Sequence, residues 1–308
     1  MTTLSVPVPA AVADDWWTRV FDFTDYGSLL ALVHNSLIAG AVLGLVGGLV
    51  GVLVMQRDLA FAVHGISELS FAGAAAALLL SIDVMLGAVL GSVLAALLIG
   101  LMGTRARDRN SIIGVIMPFG LGLGVLFLAL YPGRAANKFG LLTGQIVAVD
   151  ETRLSLFLAI AAVVLVALVV IWRPLTFSSI DPDVAAARGV PTRALGIGFM
   201  LLLGLAVALA VQVVGALLVL SLLITPAAAA TRVSASPVVV PLLSVAFAVT
   251  SAVGGILLAL GGSVPISPYV TTISFVIYVV CRVVGDLRTR RGWARRVAAV
   301  ERDEVAAA

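Results

Sequence analysis

The chain has 308 residues, 61% of them hydrophobic and only 11% charged, with a formal net charge of +3. Soluble domains hold about 45–50% apolar and about 25% charged residues, and disordered chains are poorer still in apolar residues. Neither class fits, which leaves an all-α, polytopic membrane protein whose mean hydropathy is +1.18. The single cysteine, Cys281, excludes an intrachain disulfide framework and a cysteine-based metal cage.

Residues 1–28 lack the basic start of a cleavable leader. They carry Asp14, Asp15, Asp22 and Asp25 among Trp16, Trp17, Phe21 and Phe23, which reads as a short interfacial segment on the outer surface. A membrane domain follows over 29–285. A span needs about 20 apolar residues. Nine stretches qualify: Leu29–Met55, Leu59–Leu80, Val84–Gly103, Ser111–Tyr131, Leu154–Trp172, Ala194–Ala210, Val213–Thr231, Val238–Leu260 and Pro268–Val284. Only Val211-Gln212 separates the sixth from the seventh, so that pair is a tight hairpin or one broken span, and the count is eight or nine. Pro118 and Pro226 lie inside spans and are expected to kink them.

The basic residues set the orientation. With nine spans, fifteen of the nineteen Lys and Arg residues fall on one side, leaving Arg19, Arg134, Lys138 and Arg153 on the other. The positive-inside rule makes the crowded side cytoplasmic, with the N-terminus outside and the C-terminus inside. The basic tail, 286–308, then faces lipid headgroups in the cytoplasm rather than nucleic acid. Stripes of small residues (Gly40, Gly44, Gly48; Gly47, Gly51; Gly87, Gly91; Gly120, Gly124) let helices approach closely. Packing within one subunit is the plainer reading, and a homodimer seam the sharper one.

Enzyme motifs are missing. The sequence holds no H-E-x-x-H, no G-x-S-x-G and no G-x-x-x-x-G-K-[ST]. The chain therefore cannot hydrolyse a nucleotide by itself, and active transport would draw on an ion gradient or on a partner.

Two stretches carry chemistry. In the second span, His64 and Glu68 stand four apart on one helical face, with Glu68 near mid-membrane. A carboxylate there costs about 2.5–3.5 kcal/mol on insertion scales. Imidazole with carboxylate suits zinc, manganese or iron, so a cation path is the favoured reading, against a structural pair or a proton relay. Asn35, Asp83 and Gln212 are weaker path candidates. In the loop after Trp172, Asp181 is placed to cap a helix, Pro182 to open it, Asp183 to complement its dipole, and Gly189 to close it beside Arg188. A helix of about seven residues in a cytoplasmic loop reads as a docking element for a cytoplasmic partner.

Over about residues 29–285 the chain resembles the permeases of zinc/manganese/iron-type ABC transporters, relatives of the siderophore and cobalamin permeases. The likeness rests on His34-Asn-Ser-Leu-Ile-Ala-Gly40, the Arg57-to-Gly73 segment, Asp181-Pro-Asp-Val-Ala-Ala-Ala-Arg-Gly189, and Val214-Gly-Ala-Leu-Leu-Val-Leu-Ser-Leu-Leu-Ile-Thr-Pro-Ala-Ala-Ala-Ala230. The resemblance implies a permease dimer in the cell membrane, cytoplasmic ATP-binding subunits, an extracellular solute-binding protein and a transported divalent metal, with no permanently bound cofactor. It also implies that Asp181–Gly189 is a coupling helix seated on the ATPase. The family usually has Asp where His64 stands and His where Glu68 stands; here the ligand types are kept and their depths exchanged. The alternatives are a gradient-driven transporter with Glu68 as proton carrier, or an ABC permease for a metal chelate or another non-metal cargo.

Overall fold

The computed structural model describes residues 30, 33–103, 106–133, 140–142, 144, 151–261 and 265–307, with backbone only over 106–108 and 289–307. The acidic and aromatic segment 1–28 lies outside the described residues. Among the described residues eight helices are long and apolar enough to cross a membrane. In chain order they are α1 (His34–Gln56), α2 (Ala60–Leu79), α3 (Val84–Met102), α4 (Ala106–Leu130), α5 (Glu151–Ile180), α7 (Thr192–Val214), α10 (Val239–Ala259) and α11 (Ile266–Ala307). Between them lie the short helices α6 (Pro182–Ala187), α8 (Val219–Leu223) and α9 (Thr225–Val233).

Tight turns join the first three helices. Leu59 donates to the Val54 carbonyl and Asp58 to that of Met55, a Schellman closure. Its left-handed position is taken by Asp58 at φ 51°, where glycine is usual. The end of α2 repeats the device with Ser81 at φ 58°, Ile82 donating to Ala77 and Ser81 to Leu78.

The glycine stripes are used within the subunit. A Cβ on Gly44 would stand 2.6 Å from the Val249 Cα, so α1 and α10 meet backbone to backbone, and Ser244 donates to the Gly48 carbonyl at 2.7 Å. Gly87 and Gly91 press on α2 at Gly73 and Leu69, while Gly120 and Gly124 receive Glu68, Leu69 and the Phe71 ring. Among the described residues these stripes are taken up by intramolecular packing, which sets aside the homodimer-seam reading. The least hydrophobic of the eight spans, α2, is also the most enclosed. Its polar side chains are therefore held in protein rather than in lipid.

The soft spot resolves differently from its sequence reading. Val211 and Gln212 remain helical, and the chain turns at Gly215, whose φ of +80° a side chain rarely adopts. A 3₁₀ turn, Ala216–Leu218, leads into α8, and the path breaks again at Ile224 before α9. Pro226 thus stands in the first turn of α9 instead of kinking a continuous span.

This broken segment runs beside α11. Ser267 donates to Val214, Ser274 to Ser221 and Arg288 to Val233. The eighteen steps from Ser267 to Gly285, which packs on the Arg232 carbonyl, rise about 27 Å at about 1.5 Å each. Among the described residues this broken segment thus runs alongside the length of α11, in addition to the eight continuous helices long enough to span a membrane.

Two further differences concern helix ends. Pro174 does not end α5, which continues to Ile180 rather than stopping near Trp172. The basic tail continues the last helix, since α11 runs unbroken from Ile266 to Ala307.

Candidate metal path and its supports

The sixth to eleventh residues of α2 are packed on three sides. Gly65 meets Ile113 of α4, and a Cβ on Gly120 would come within 3.0 Å of the Glu68 carbonyl carbon. Ser67 donates to the Ala216 carbonyl at 3.1 Å, and Ser70 to the Ala88 carbonyl at 3.0 Å. The helix register is therefore fixed by backbone contact and by hydroxyls aimed at neighbouring carbonyls.

On the remaining face stand His64 and Glu68, with Nε2 and Oε1 3.7 Å apart. That is too long for a hydrogen bond. The Glu68 side chain is 3% exposed and that of His64 27%. The second carboxylate oxygen, Oε2, and the imidazole Nδ1 are buried without hydrogen-bond partners. Two metal–ligand bonds of about 2.1 Å each reach across up to about 4.2 Å, so Nε2 and Oε1 are close enough to share one ion. Among the described residues no group of three or more His, Cys, Asp or Glu side chains comes together.

The other sequence candidates divide. Gln212 lies in the last turn of α7, with its Nε2 buried and unpartnered. It precedes by one turn Ala216, whose carbonyl receives Ser67, so the polar end of α7 adjoins α2. Asp83 has a structural role: its exposed carboxylate caps α3, accepting from Met85 and Leu86 at 2.9 and 3.1 Å. Asn35 is half-buried in the first turn of α1, beside the exposed His34.

The loop helix is built as its sequence foretells, one residue shorter. Asp181 accepts from the Val184 N–H at 2.9 Å and Pro182 opens α6. Val190 donates to Ala185 and Gly189 to Ala186, closing a Schellman motif around Gly189 at φ +80°. Ala185 is fully buried, whereas Asp181, Pro182, Asp183, Arg188 and Gly189 are exposed, together with Val184 and the 78% exposed Ile180.

Sequence reasoning passed over one cluster. Arg57, in the α1–α2 turn, donates from Nε to Ser179 Oγ at 2.7 Å and from Nη2 to Ser178 Oγ at 2.6 Å. It also reaches the Leu175 carbonyl at 3.3 Å and lies 5.6 Å from the centre of the Phe199 ring. Burial, and secondarily the neighbouring Arg109 guanidinium, hold Arg57 below the usual arginine pKa. The available signal was an arginine in a three-residue connection whose only adjacent acid is Asp58.

Comparison with known proteins gives a consistent picture. The chain is 32% identical over 225 residues to the manganese transport system membrane protein MntC of Halalkalibacterium halodurans, covering 73% of this chain and 77% of that one. It is 26% identical over 253 residues to the high-affinity zinc uptake system membrane protein ZnuB of Haemophilus influenzae, covering 82% and 97%. Among solved structures, PsaBC from Streptococcus pneumoniae in complex with Fab superposes with a TM-score of 0.74 at 27% identity, over 84% of this chain and 95% of that one. The ABC 3 transport family profile matches residues 30–285. With its membrane-embedded polar pair and its capped loop helix, the chain is a multi-pass member of the ABC 3 transport family.

Proposed function

We propose that this chain is the membrane permease of an importer powered by separate ATP-binding subunits, and that its cargo is a divalent transition-metal ion, manganese or zinc. The observation that carries the reading is the half-built ligand set on α2: an imidazole and a buried carboxylate, each with an unpartnered polar atom, in the most enclosed helix of the bundle. Burying an unpaired carboxylate is costly, and a cation arriving between two such pairs removes that cost. Two copies of the chain around a two-fold axis would bring two His64–Glu68 pairs to one path, up to four ligands. Relatives named for manganese and zinc transport support that cargo, and family membership supersedes the gradient-driven alternative.

The arginine-bearing end, with Arg57, Arg193, Arg232 and Arg288, is the cytoplasmic one on this reading, and the tail of α11 lies against lipid headgroups. An extracellular solute-binding protein delivers the ion to the opposite end. The exposed α6 docks on the ATPase, offering Ile180 and Val184 as apolar anchors between Asp181, Asp183 and Arg188. ATP-driven closure moves α6 and alternates access to the site. Because the ion must leave again, binding is moderate and the ligands are not reinforced by a tight shell of hydrogen bonds.

The test is cellular manganese and zinc content by elemental mass spectrometry, in cells expressing the permease with its ATPase and binding protein. A rise in one metal that disappears with Glu68→Gln is the expected result. No rise in either metal from an assembled complex refutes the cargo.

A further inference from the structure

Arg57 joins three parts of the bundle that are distant in sequence. Its backbone opens the three-residue turn that leads into α2, seven residues before His64. Its guanidinium holds Leu175, Ser178 and Ser179 on the last turns of α5, and lies over Phe199 of α7. All three partners on α5 come after Pro174, the proline inside that helix. A proline removes the hydrogen bond to the carbonyl four residues back and makes a natural flexing point.

Beyond that point the chain is continuous with α6. Asp181 donates to the Phe177 carbonyl, no loop intervenes, and Ala185 is fully buried. Residues 175–187 thus form one continuous arm that starts after Pro174 and ends in the exposed helix.

We propose that Arg57 is the positioning residue that carries movement of this arm to α2, so that a displacement of α6 shifts His64 and Glu68. The proposal rests on the permease reading above. Arginine suits the task because its rigid planar fork holds several acceptors in fixed directions, whereas the three donors of a lysine ammonium rotate on a flexible stem. The turn it sits in is rigid. With Asp58 locked in the left-handed region by two hydrogen bonds, a pull on the Arg57 side chain reaches the start of α2 without slack. No carboxylate hydrogen-bonds the Arg57 guanidinium among the described residues, so its charge is directed at hydroxyls and a carbonyl of the arm.

The test uses the full permease–ATPase complex in lipid vesicles, with spin labels on Phe61→Cys in α2 and Phe177→Cys in the arm, on a Cys281→Ser background. Both positions are exposed, at 70% and 39%. With Arg57 intact, ATP binding leaves the separation of the labels unchanged, since arm and helix move together. With Arg57→Met, or with Ser178→Ala and Ser179→Ala combined, ATP binding changes that separation. The serine variant keeps the test available if the arginine variant does not assemble.

Manganese carried per ATP hydrolysed is expected to fall at least tenfold in either variant, with ATP hydrolysis within about twofold of the parent. Arg57→Lys is expected to behave as the uncoupled variants do. A separation that stays constant in the variants overturns the proposal, as does an unchanged manganese-to-ATP ratio. Absence of manganese uptake by the parent complex counts against the cargo alone, because the label separation needs no metal.

Discussion

The Ser67 hydroxyl donates to the Ala216 carbonyl at 3.1 Å, fastening the helix that carries His64 and Glu68 to the first turn of the broken span. Ala216 is the residue after Gly215, where the chain turns with φ at +80°. The hydroxyl therefore satisfies a carbonyl that a continuous helix would not have left open. Replacing Ser67 by Ala strands that buried acceptor, at a cost of about 0.5–2 kcal/mol. Unfolding in mixed detergent micelles is expected to show the loss, and Ser67→Thr, which keeps the hydroxyl, is expected to recover most of it.

Helix contact through glycine makes a second, graded prediction. Gly44 leaves no room for a side chain against the Val249 backbone, while Gly114 and Gly196 have open space around them. Gly44→Val should lower stability by about 2 kcal/mol or more through overpacking. Gly114→Ala and Gly196→Ala should be neutral or stabilising by up to about 1 kcal/mol, since alanine favours helix. Thermal unfolding of the purified variants separates the two groups; equal behaviour would mean α1 and α10 are not in backbone contact.

The caps of α6 bear on partner binding. Asp181→Ala removes the acceptor for the Val184 N–H, worth about 1 kcal/mol of local helix stability, and Asp181→Asn retains it. Co-purification of the ATPase subunit should fall with Ala and survive with Asn. Gly189→Ala strains a position at φ +80° by about 1–2 kcal/mol and should weaken capture in the same direction. Capture unaffected by all three would move the docking surface away from α6.

Glu68 should reveal itself by opposite effects on stability and transport. Glu68→Gln keeps the shape and removes a buried carboxylate whose Oε2 has no partner, so unfolding resistance should hold or rise. Metal uptake should fall at least tenfold, as expected where a site keeps a costly group for function. A variant that loses stability and transport together would make the pair structural.

Much of this was legible in the residues themselves. The spans follow from apolar length, the α6 caps from Asp181, Pro182 and Gly189, and the special status of Glu68 from the cost of a carboxylate in hydrocarbon. What escaped depends on contacts between remote segments. Gln212 looks like a turn because it is polar, yet the turn belongs to Gly215, whose backbone freedom outweighs local polarity. Pro174 looks like a terminus, yet α5 continues through it, its following turn held by Arg57 from well over one hundred residues away. The glycine stripes announce close packing without saying against which helix. Asp83 carries the same carboxylate as aspartates on ion paths, and only its hydrogen bonds to Met85 and Leu86 identify it as a cap.

The most direct measurement is the stoichiometry of manganese bound to the detergent-solubilised permease–ATPase complex, read by electron paramagnetic resonance at saturating manganese. One ion per two permease chains, lost in Glu68→Gln and in His64→Ala, is the expected result. Binding that survives both substitutions, or one ion per single chain, would contradict a path formed by two facing His64–Glu68 pairs.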